Sequence, residues 1–158
     1  MRACLIWVGR ESARDPEGQW CAEYLKRLRP YLSLDVKAIK SAGSREMSIA
    51  ETRRRESERI QACFLPGDKV VLCDERGRGL SSASWAAQLD RFLTAAPKRL
   101  VFVIGGSMGV SSALRQRAEF VLSLSKMTLP HGLARVLFLE QLYRGFCIRA
   151  GHPYHHEG

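Results

Sequence analysis

Two polar segments of irregular sequence each follow an apolar run that is typical of a buried strand. Residues 105–109 (GGSMG) follow residues 100–104 (LVFVI), and residues 122–131 (LSLSKMTLPH) leave a shorter apolar run. Such segments leave main-chain N–H and C=O groups free, and ligands of open α/β sheets bind outside the carboxyl ends of strands. The two segments therefore predict a pocket for a nucleotide-like ligand.

The glycine segment is weak evidence by itself, because a glycine pair after a strand also serves as a simple turn. It lacks the Lys-Ser/Thr pair of a P-loop, and its spacing does not match G-x-G-x-x-G, so the common ATPase and dehydrogenase functions are disfavoured. A third apolar run, ending at Leu72-Cys73, also opens into a glycine-containing segment. Three such strand ends together favour a ligand site.

The C-terminal tail holds the titratable side chains best suited to moving a proton. His152, Tyr154, His155 and His156 lie within five residues of one another, and histidine titrates near neutral pH. Tyr154 and His155 are the candidates for contact with a substrate, with His155 as a candidate base. The alternative is a basic terminus that only touches phosphate.

Two further polar residues have both a functional and a structural interpretation. Arg144 could orient a substrate, but Glu140 precedes it by four residues, and such a pair can simply form an ion pair along a helix. His131 follows Pro130 at a predicted helix start, and a structural role is favoured there.

The chain is basic: 25 Lys and Arg against 16 Asp and Glu give a formal net charge of +9. Such a balance favours a polyanionic partner, with nucleic acid first, although a charge run on a helix is often only a solvated face. The candidate phosphate contacts are Arg53, Arg54, Arg55, Arg59, Arg76 and Arg78.

Several classes of protein are disfavoured by composition. The five cysteines form no C-x-x-C pair, which argues against a zinc cluster or a disulfide framework. No apolar run approaches the length of about 18 residues that a membrane span needs, and the first apolar run is too short for a signal sequence. We expect a cytoplasmic protein of one domain.

Strand-like and helix-like patterns alternate along the chain, which predicts an α/β fold with a mainly parallel sheet and residues 100–104 at its centre. The last helix is apolar on more than one face, which suggests an oligomer interface. Predicted strands cover residues 3–8, 32–39, 69–73, 100–104 and about 120–124, with residues 74–79 as a loop. Three predicted helices run from residue 16 to near Pro30, from 46 to about 64, and from 81 to 95. A fourth begins near residue 111, and a fifth runs from 131 to at least 146.

Four motifs in combination resemble those of one family. They are residues 105–109 (GGxxG), residues 123–131 (SLSxxTLPH), the run from Arg135-Val136 to residues 140–144 (ExLYR), and residues 152–155 (HPYH). With them the chain is similar, over nearly its whole length, to the ribosomal RNA large subunit methyltransferase H family, small bacterial enzymes of the SPOUT superfamily.

The resemblance implies one SPOUT methyltransferase domain over residues 1–158, with helices on both faces of the sheet and a deep C-terminal trefoil knot, a rare exception among protein folds. It also implies a homodimer that binds S-adenosylmethionine and methylates N3 of a pseudouridine in 23S ribosomal RNA, on the assembled 70S ribosome. By position, the cofactor contacts fall on Cys73, Gly105, Leu124, Ser125, Lys126, Met127, Thr128 and Leu129.

Departures from the family pattern leave some side-chain roles open: Cys73 replaces a more usual leucine, Ser107-Met108 replaces Pro-Glu, and Arg78 stands where lysine is common. Main-chain contacts suffice for the cofactor, so no metal is expected. Methylation at N3 needs an in-line approach and loss of the imide proton, and His155, Tyr154 and Arg144 are the catalytic candidates. The alternatives are a noncatalytic RNA-binding protein and a SPOUT enzyme that acts on transfer RNA.

Overall fold

The computed structural model describes residues 1–10 and 12–156. Strands and helices alternate along this part of the chain, as the sequence predicts. They are β1 (Arg2–Val8), α1 (Pro16–Leu28), β2 (Ser33–Ile39), α2 (Ile49–Gln61), β3 (Asp68–Gly79), α3 (Ser82–Thr94), β4 (Arg99–Ile104), α4 (Ser112–Arg117), β5 (Phe120–Ser123) and α5 (His131–Arg149).

These strands form one parallel sheet in the order β2-β1-β4-β3-β5. The prediction of an α/β fold with a parallel sheet is confirmed. β4 lies at the centre, as its sequence predicts. Residues 100–104 are apolar without alternation, and all of them are buried. Strands that are covered on both faces have this pattern.

Helices cover both faces of the sheet. In β1, Leu5 and Trp7 pack with buried side chains of α1, α3 and α5. The intervening Ile6 and Val8 pack on the opposite face with residues of α2 and α4. Successive side chains of a strand point to opposite faces, so the unbroken apolar run of β1 serves two separate layers of core.

The apolar residues of α5 extend beyond one stripe because this helix has neighbours from its own chain on several sides. It packs against α1, α3 and β4. At the α3 contact, Gly145 permits a close approach, since a Cβ there would lie 2.6 Å from Leu89 Cδ1. Packing within one chain thus accounts for the pattern, and an oligomer interface on α5 stays a prediction.

α2 is shorter than predicted at both ends, Ile49–Gln61 rather than 46–64. Ser48 caps its N-terminus through its hydroxyl oxygen, and Phe64 N donates to Gln61 O in a tighter turn after its C-terminus. The helix therefore ends several residues before Pro66-Gly67. No helix in the described ranges combines the length and apolar content needed to cross a membrane.

β3 extends further than predicted. The prediction of a loop over residues 74–79 is wrong, because the strand continues to Gly79. An irregularity between Cys73 and Arg78 interrupts its pairing with β5, and pairing resumes between Arg78 and Leu122. The sequence could not show this, because the main-chain partner of the second half of β3 lies more than 40 residues later.

Gly77 lies where the irregular part of β3 passes close to β5. A Cβ at Gly77 would lie 2.5 Å from Val121 O, whereas a Cβ at Gly79 would meet nothing within 4 Å. We expect Gly77→Ala to lower the free energy of unfolding by about 2 kcal/mol, because the main chain must shift, and Tm by roughly 4–8 °C. Gly79→Ala is the matched control. Thermal melts and urea unfolding measure both, and equal stability of the two variants would contradict the close approach.

Candidate active site

The predicted cofactor residues meet on the side of the sheet where β4 and β5 end, which we call the cofactor edge. Cys73 pairs in register with Ile104 of β4 on one side and with Leu122 of β5 on the other. The chain leaves β4 at Gly105 and leaves β5 at Leu124. The structure thus brings the three segments together, as the predicted parallel sheet requires.

The segment 124–129 offers its main chain to a ligand. In the described part of the chain, none of its N–H or C=O groups bonds to another main-chain group. Its conformation is held by side chains: Ser123 Oγ donates to Ser125 O at 3.0 Å, and Met127 N donates to Ser125 Oγ at 2.9 Å. Most main-chain polar groups of this loop are therefore available for hydrogen bonds to a bound molecule.

The glycines of residues 105–109 are required by close packing. A Cβ at Gly105 would lie 2.7 Å from Val110 Cγ1, and a Cβ at Gly106 would lie 2.6 Å from Glu56 Oε2. Gly109 has a φ of +76°, which favours glycine, and its N–H donates to Gly106 O at 3.0 Å. The segment is a tight turn, and it begins beside Cys73 at the carboxyl end of β4.

The Cys73 thiol is expected to be unreactive at neutral pH. Burial, with a contribution from the Asp74 carboxylate, raises the pKa of this thiol to about 12. It therefore keeps its proton at neutral pH, and a protonated thiol is a poor nucleophile. Position 73 can border an electrophilic ligand without reacting with it. Within residues 1–10 and 12–156, no group of three or more His, Cys, Asp or Glu side chains is arranged to hold a metal ion.

A second cluster forms where the C-terminal tail folds back on α5 and α1. This tail cluster contains Tyr24, Glu140, Arg144, Tyr154 and His155. Tyr154 Oη lies 3.3 Å from Glu140 Oε1 and 3.5 Å from Tyr24 Oη. Arg144 Nε donates to Glu140 Oε1 at 2.9 Å, and Arg144 Nη1 lies 3.3 Å from His155 Nδ1. The Arg144 guanidinium carbon also lies 4.7 Å from the centre of the Tyr154 ring. The three predicted catalytic residues are thus neighbours, and the pairing of Arg144 with Glu140 is part of the same cluster.

Protonation states in this tail cluster follow from its contacts. Burial, the hydrogen bond with Tyr24 and the Glu140 carboxylate raise the pKa of Tyr154 above its usual range, so its phenol stays neutral. The hydrogen bond to Glu140 raises the pKa of Arg144. Because a guanidinium can only donate, its contact makes His155 Nδ1 the acceptor and leaves the imidazole proton on Nε2. In this tautomer His155 is a donor at Nε2, which favours an orienting role.

The tail cluster and the sheet edge are well separated within one chain. Leu129 lies just before α5, whereas Arg144 lies more than three turns along that helix. At a rise of 1.5 Å per residue this is about 20 Å. The structure therefore does not bring the predicted catalytic residues to the predicted cofactor loop of the same chain.

The arginines of α2 are already engaged in contacts. Arg54 and Arg55 both form ion pairs with Glu51, and their hydrogen bonds hold the pKa of that carboxyl at about 2. Arg53 and Arg59 donate to the main-chain oxygens of other segments. The surface of this helix is therefore less basic than its arginines alone suggest, and its contact with RNA stays a prediction.

The other two predicted phosphate contacts lie close to the cofactor edge. Arg76 and Arg78 are exposed on the second half of β3, and Arg78 pairs in register with Leu122 of β5. Its guanidinium carbon lies 5.6 Å from the centre of the Phe120 ring.

Arg135 has a role that the sequence-based analysis missed. Its side chain donates to Val8 O at 2.6 Å and to Arg10 O at 3.0 Å, and the residue is 8% exposed. It lines a cavity of about 340 Å³ at the end of β1, together with His131 at the start of α5. The available signal was a single cation inside the apolar run of α5, since a charge in such a run needs buried polar partners.

Comparison with known proteins identifies the family of this chain. The family model described as "Predicted SPOUT methyltransferase" matches residues 1–155. A protein of Syntrophotalea carbinolica is 39% identical over 155 residues, which cover 98% of this chain and 99% of the relative. One of Gloeobacter violaceus is 41% identical over 159 residues, 99% of each chain, and one of Sinorhizobium fredii is 40% identical, with 98% and 99% covered.

All three relatives carry the name "Ribosomal RNA large subunit methyltransferase H". The matches include both the sheet edge and most or all of the C-terminal tail, since they extend over nearly the whole chain. The protein is a methyltransferase that belongs to the ribosomal RNA large subunit methyltransferase H family of the SPOUT methyltransferases.

Proposed function

We propose that this protein transfers a methyl group from S-adenosylmethionine to N3 of a pseudouridine in 23S ribosomal RNA, on the assembled 70S ribosome in the cytoplasm. Residues 1–158 would act as one domain, with the C-terminal trefoil knot that the family resemblance implies. The observation that carries the proposal is the meeting of Cys73, at the end of the β3–β4 pairing, with Gly105 and residues 124–129, which follow β4 and β5, in a chain whose relatives are named as ribosomal RNA methyltransferases.

The chemistry of this edge fits S-adenosylmethionine. The adenine is neutral and can be bound by main-chain N–H and C=O groups, which residues 124–129 offer. The sulfonium tolerates apolar surroundings, and the Cys73 thiol beside it would keep its proton. When bound, the cofactor supplies an electrophilic methyl carbon, and transfer of that carbon to a ring nitrogen needs no Lewis acid. Main-chain atoms of Gly105 and of the 124–129 loop would hold it.

The tail cluster suits the acceptor base. The N3–H of a pseudouridine is a weakly acidic imide proton, and its departure places negative charge on the ring. A fixed cation and a hydrogen-bond donor stabilise such charge, and Arg144 and Tyr154 supply one of each. His155, oriented by its contact with Arg144, can donate a second hydrogen bond from Nε2, and the imide proton would pass to solvent. Alignment of the acceptor nitrogen with the methyl carbon would contribute most of the remaining rate enhancement.

A homodimer would bring the two clusters together. Within one chain they are about 20 Å apart along α5, so we propose that the tail cluster of one copy acts at the cofactor edge of the other. Trp20 on α1 is 52% exposed and Leu133 on α5 is 50% exposed. Large apolar side chains on neighbouring helices are suited to an interface between two copies.

The basic residues would contact the phosphates of the ribosomal RNA. Arg76 and Arg78 are the best placed, because they are exposed beside β5; Arg53, Arg54, Arg55 and Arg59 would form a more distant part of the same surface. Phosphate contacts give affinity and salt sensitivity but do not select one nucleotide. Selection would come from the shape of the ribosome and from both subunits.

Replacing Arg76 and Arg78 together with alanine should weaken binding to 70S ribosomes and lower its salt dependence. Each lost phosphate contact reduces the slope of log K against log salt by about 1, so we expect a change of about 2. Lys69→Ala is the matched control, because Lys69 lies at the opposite end of β3 and pairs with Glu119. Binding measured between about 50 and 200 mM salt gives both slopes; an unchanged slope in the double variant would contradict the contact.

The proposed function is tested by incubating the protein with labelled S-adenosylmethionine and 70S ribosomes that lack the modification. Mass spectrometry then locates the methyl group. We expect label on N3 of one pseudouridine of 23S ribosomal RNA, and none on transfer RNA or free 23S RNA. Cofactor binding without transfer would overturn the catalytic proposal and favour a role in RNA binding, while label on transfer RNA would overturn the substrate.

A further inference from the structure

Glu56 of α2 is a buried carboxylate that the proposed reaction does not use. The residue is 3% exposed. Its Oε1 accepts hydrogen bonds from Ser41 Oγ at 3.0 Å and from Ala42 N at 3.2 Å. Its Oε2 lies against Gly106, and among the described residues no donor reaches it. A buried carboxylate with one unsatisfied oxygen is costly, so its position calls for an explanation.

Glu56 connects two loops at the carboxyl edge of the sheet. Ser41 and Ala42 follow β2, whereas Gly106 follows β4, and β1 lies between these two strands. The side chain therefore passes over the end of β1, where Val8 also approaches Gly106: a Cβ on Gly106 would lie 3.2 Å from Val8 Cγ1. Gly106 is confined on both sides, by Glu56 and by β1.

Two neighbours of Glu56 on α2 hold the same loop further along. Arg53 and Ser57 lie on the same helix face, because residues three and four apart are neighbours on a helix. Arg53 Nε donates to Met108 O at 2.8 Å, and Ser57 Oγ accepts from Ser111 N at 2.8 Å. Three contacts from one face of α2 thus restrain the loop 105–111.

We propose that Glu56, supported by Arg53 and Ser57, is a positioning residue that sets the conformation of residues 105–111 for cofactor binding. It acts through the loop and does not touch the cofactor. The inference rests on the proposed function, because the loop contains Gly105, a proposed contact of S-adenosylmethionine. Its physical basis is independent: removal of the carboxylate frees Gly106 on one side and the segment after β2 on the other.

The first test measures the Kd of S-adenosylmethionine by calorimetry. Glu56→Ala should raise the Kd about tenfold, and Glu56→Gln, which keeps the shape and one acceptor oxygen, less than about threefold. The rate constant at saturating cofactor should change less than about twofold in both. A variant that is merely unstable lowers the number of binding sites but not the affinity of those that remain. Glu58→Ala, on the exposed side of the same helix, is the matched control and should bind like the parent.

The second test needs no cofactor. Hydrogen exchange of the free protein should show the Gly109 and Ser111 amides exchanging at least about fivefold faster in Glu56→Ala than in Glu58→Ala. The Gly109 amide bonds to Gly106 O within the restrained loop, and the Ser111 amide holds the end of that loop to Ser57 Oγ of α2. Ser57→Ala, which removes the acceptor of Ser111 N, should have the same effect on Ser111 and serves if Glu56→Ala does not fold. If the parent protein binds no S-adenosylmethionine, the proposed function fails. The hydrogen-exchange rates still show whether Glu56 restrains the loop 105–111. Unchanged exchange rates of these amides in the variants would overturn the inference. If the parent binds S-adenosylmethionine, an unchanged Kd in Glu56→Ala would overturn it as well.

Discussion

Replacing Arg144 with alanine should reduce methyl transfer to 70S ribosomes about a hundredfold at saturating cofactor, with little change in the affinity for S-adenosylmethionine. Arg144 is the cation that joins Glu140, Tyr154 and His155, so its loss should release the tail and remove the charge that we propose for the acceptor base. The cofactor edge lies about 20 Å away along α5 and should be unaffected in the same chain. Single-turnover rates and calorimetric Kd values measure the two effects.

Arg149→Ala is the control for that experiment. Arg149 lies on the same helix and also forms an ion pair, with Asp90 on α3, but this pair is more exposed than that of Arg144 with Glu140. We expect its replacement to leave the transfer rate within about twofold, since exposed pairs contribute little. Equal rates in Arg144→Ala and Arg149→Ala would contradict a catalytic role for the tail cluster.

Mixed dimers separate the two possible arrangements of the active site. Arg144→Ala damages the tail cluster, and Gly105→Val should block the cofactor edge, where even a Cβ would lie 2.7 Å from Val110 Cγ1. If the tail of one copy serves the cofactor of the other, a heterodimer of these variants contains one intact site and should recover up to about half of the parental activity. If each copy uses its own tail, no recovery is expected.

The largest loss of stability is expected from Asp68→Asn. Asp68 begins β3 in register with Arg99 of β4; the Asp68 side chain is 1% exposed and that of Arg99 is 15% exposed. Arg99 Nε donates to Asp68 Oδ1 at 3.0 Å, and Leu65 N donates to Asp68 Oδ2 at 2.7 Å. Breaking a buried pair leaves a charge without its partner, which costs about 3 kcal/mol or more and should lower Tm by roughly 6–12 °C.

The same pair predicts a loss of stability in acid. Burial alone would raise the pKa of Asp68, but the hydrogen bonds from Arg99 and from Leu65 N outweigh it and hold this pKa below its usual range. The unfolded carboxyl titrates near pH 3.9. The stability that Asp68 contributes is therefore fully present above that pH and is lost as the pH falls through the folded pKa.

Urea unfolding at pH 7 and at a pH below 3 tests both statements. The parent should exceed Asp68→Asn by about 3 kcal/mol at neutral pH, and the gap should narrow in acid. Asp90→Asn, in the exposed pair with Arg149, should change stability by less than about 1 kcal/mol at either pH. A gap of constant size across the two pH values would show that the Asp68 charge is not the cause.

Local pattern was sufficient for the order of the strands and helices along the chain and for the place of the proposed cofactor segments in that order. The unbroken apolar run of β4 predicted its central place, because only a strand covered on both faces can remain apolar throughout. The three predicted polar exits, after Cys73, Ile104 and Leu124, were visible in the same way, although β3 continues through the first of them to Gly79. Parallel strands end at one edge, so the meeting of these exits followed from the predicted sheet.

Contacts between distant parts of the chain were not predictable from such patterns. The second half of β3 looked like a loop because its partner, β5, follows more than 40 residues later. The arginines of α2 looked like a basic surface because the sequence does not show which of them pair with Glu51 or reach the main chain of another segment. In both cases the pairing depends on tertiary packing, because packing decides which groups come within hydrogen-bond distance of each other.

The sequence by itself determined the fold class, the family and the three segments that form the proposed cofactor edge, because hydrophobic period and short motifs are local properties. Only the tertiary structure decided that the tail cluster forms around Glu140 and Tyr24, that it lies about 20 Å along α5 from that edge, and that Glu56 braces the glycine turn. These features depend on the packing of α5 and of α2 against opposite faces of one sheet. No pattern within a single segment records that packing.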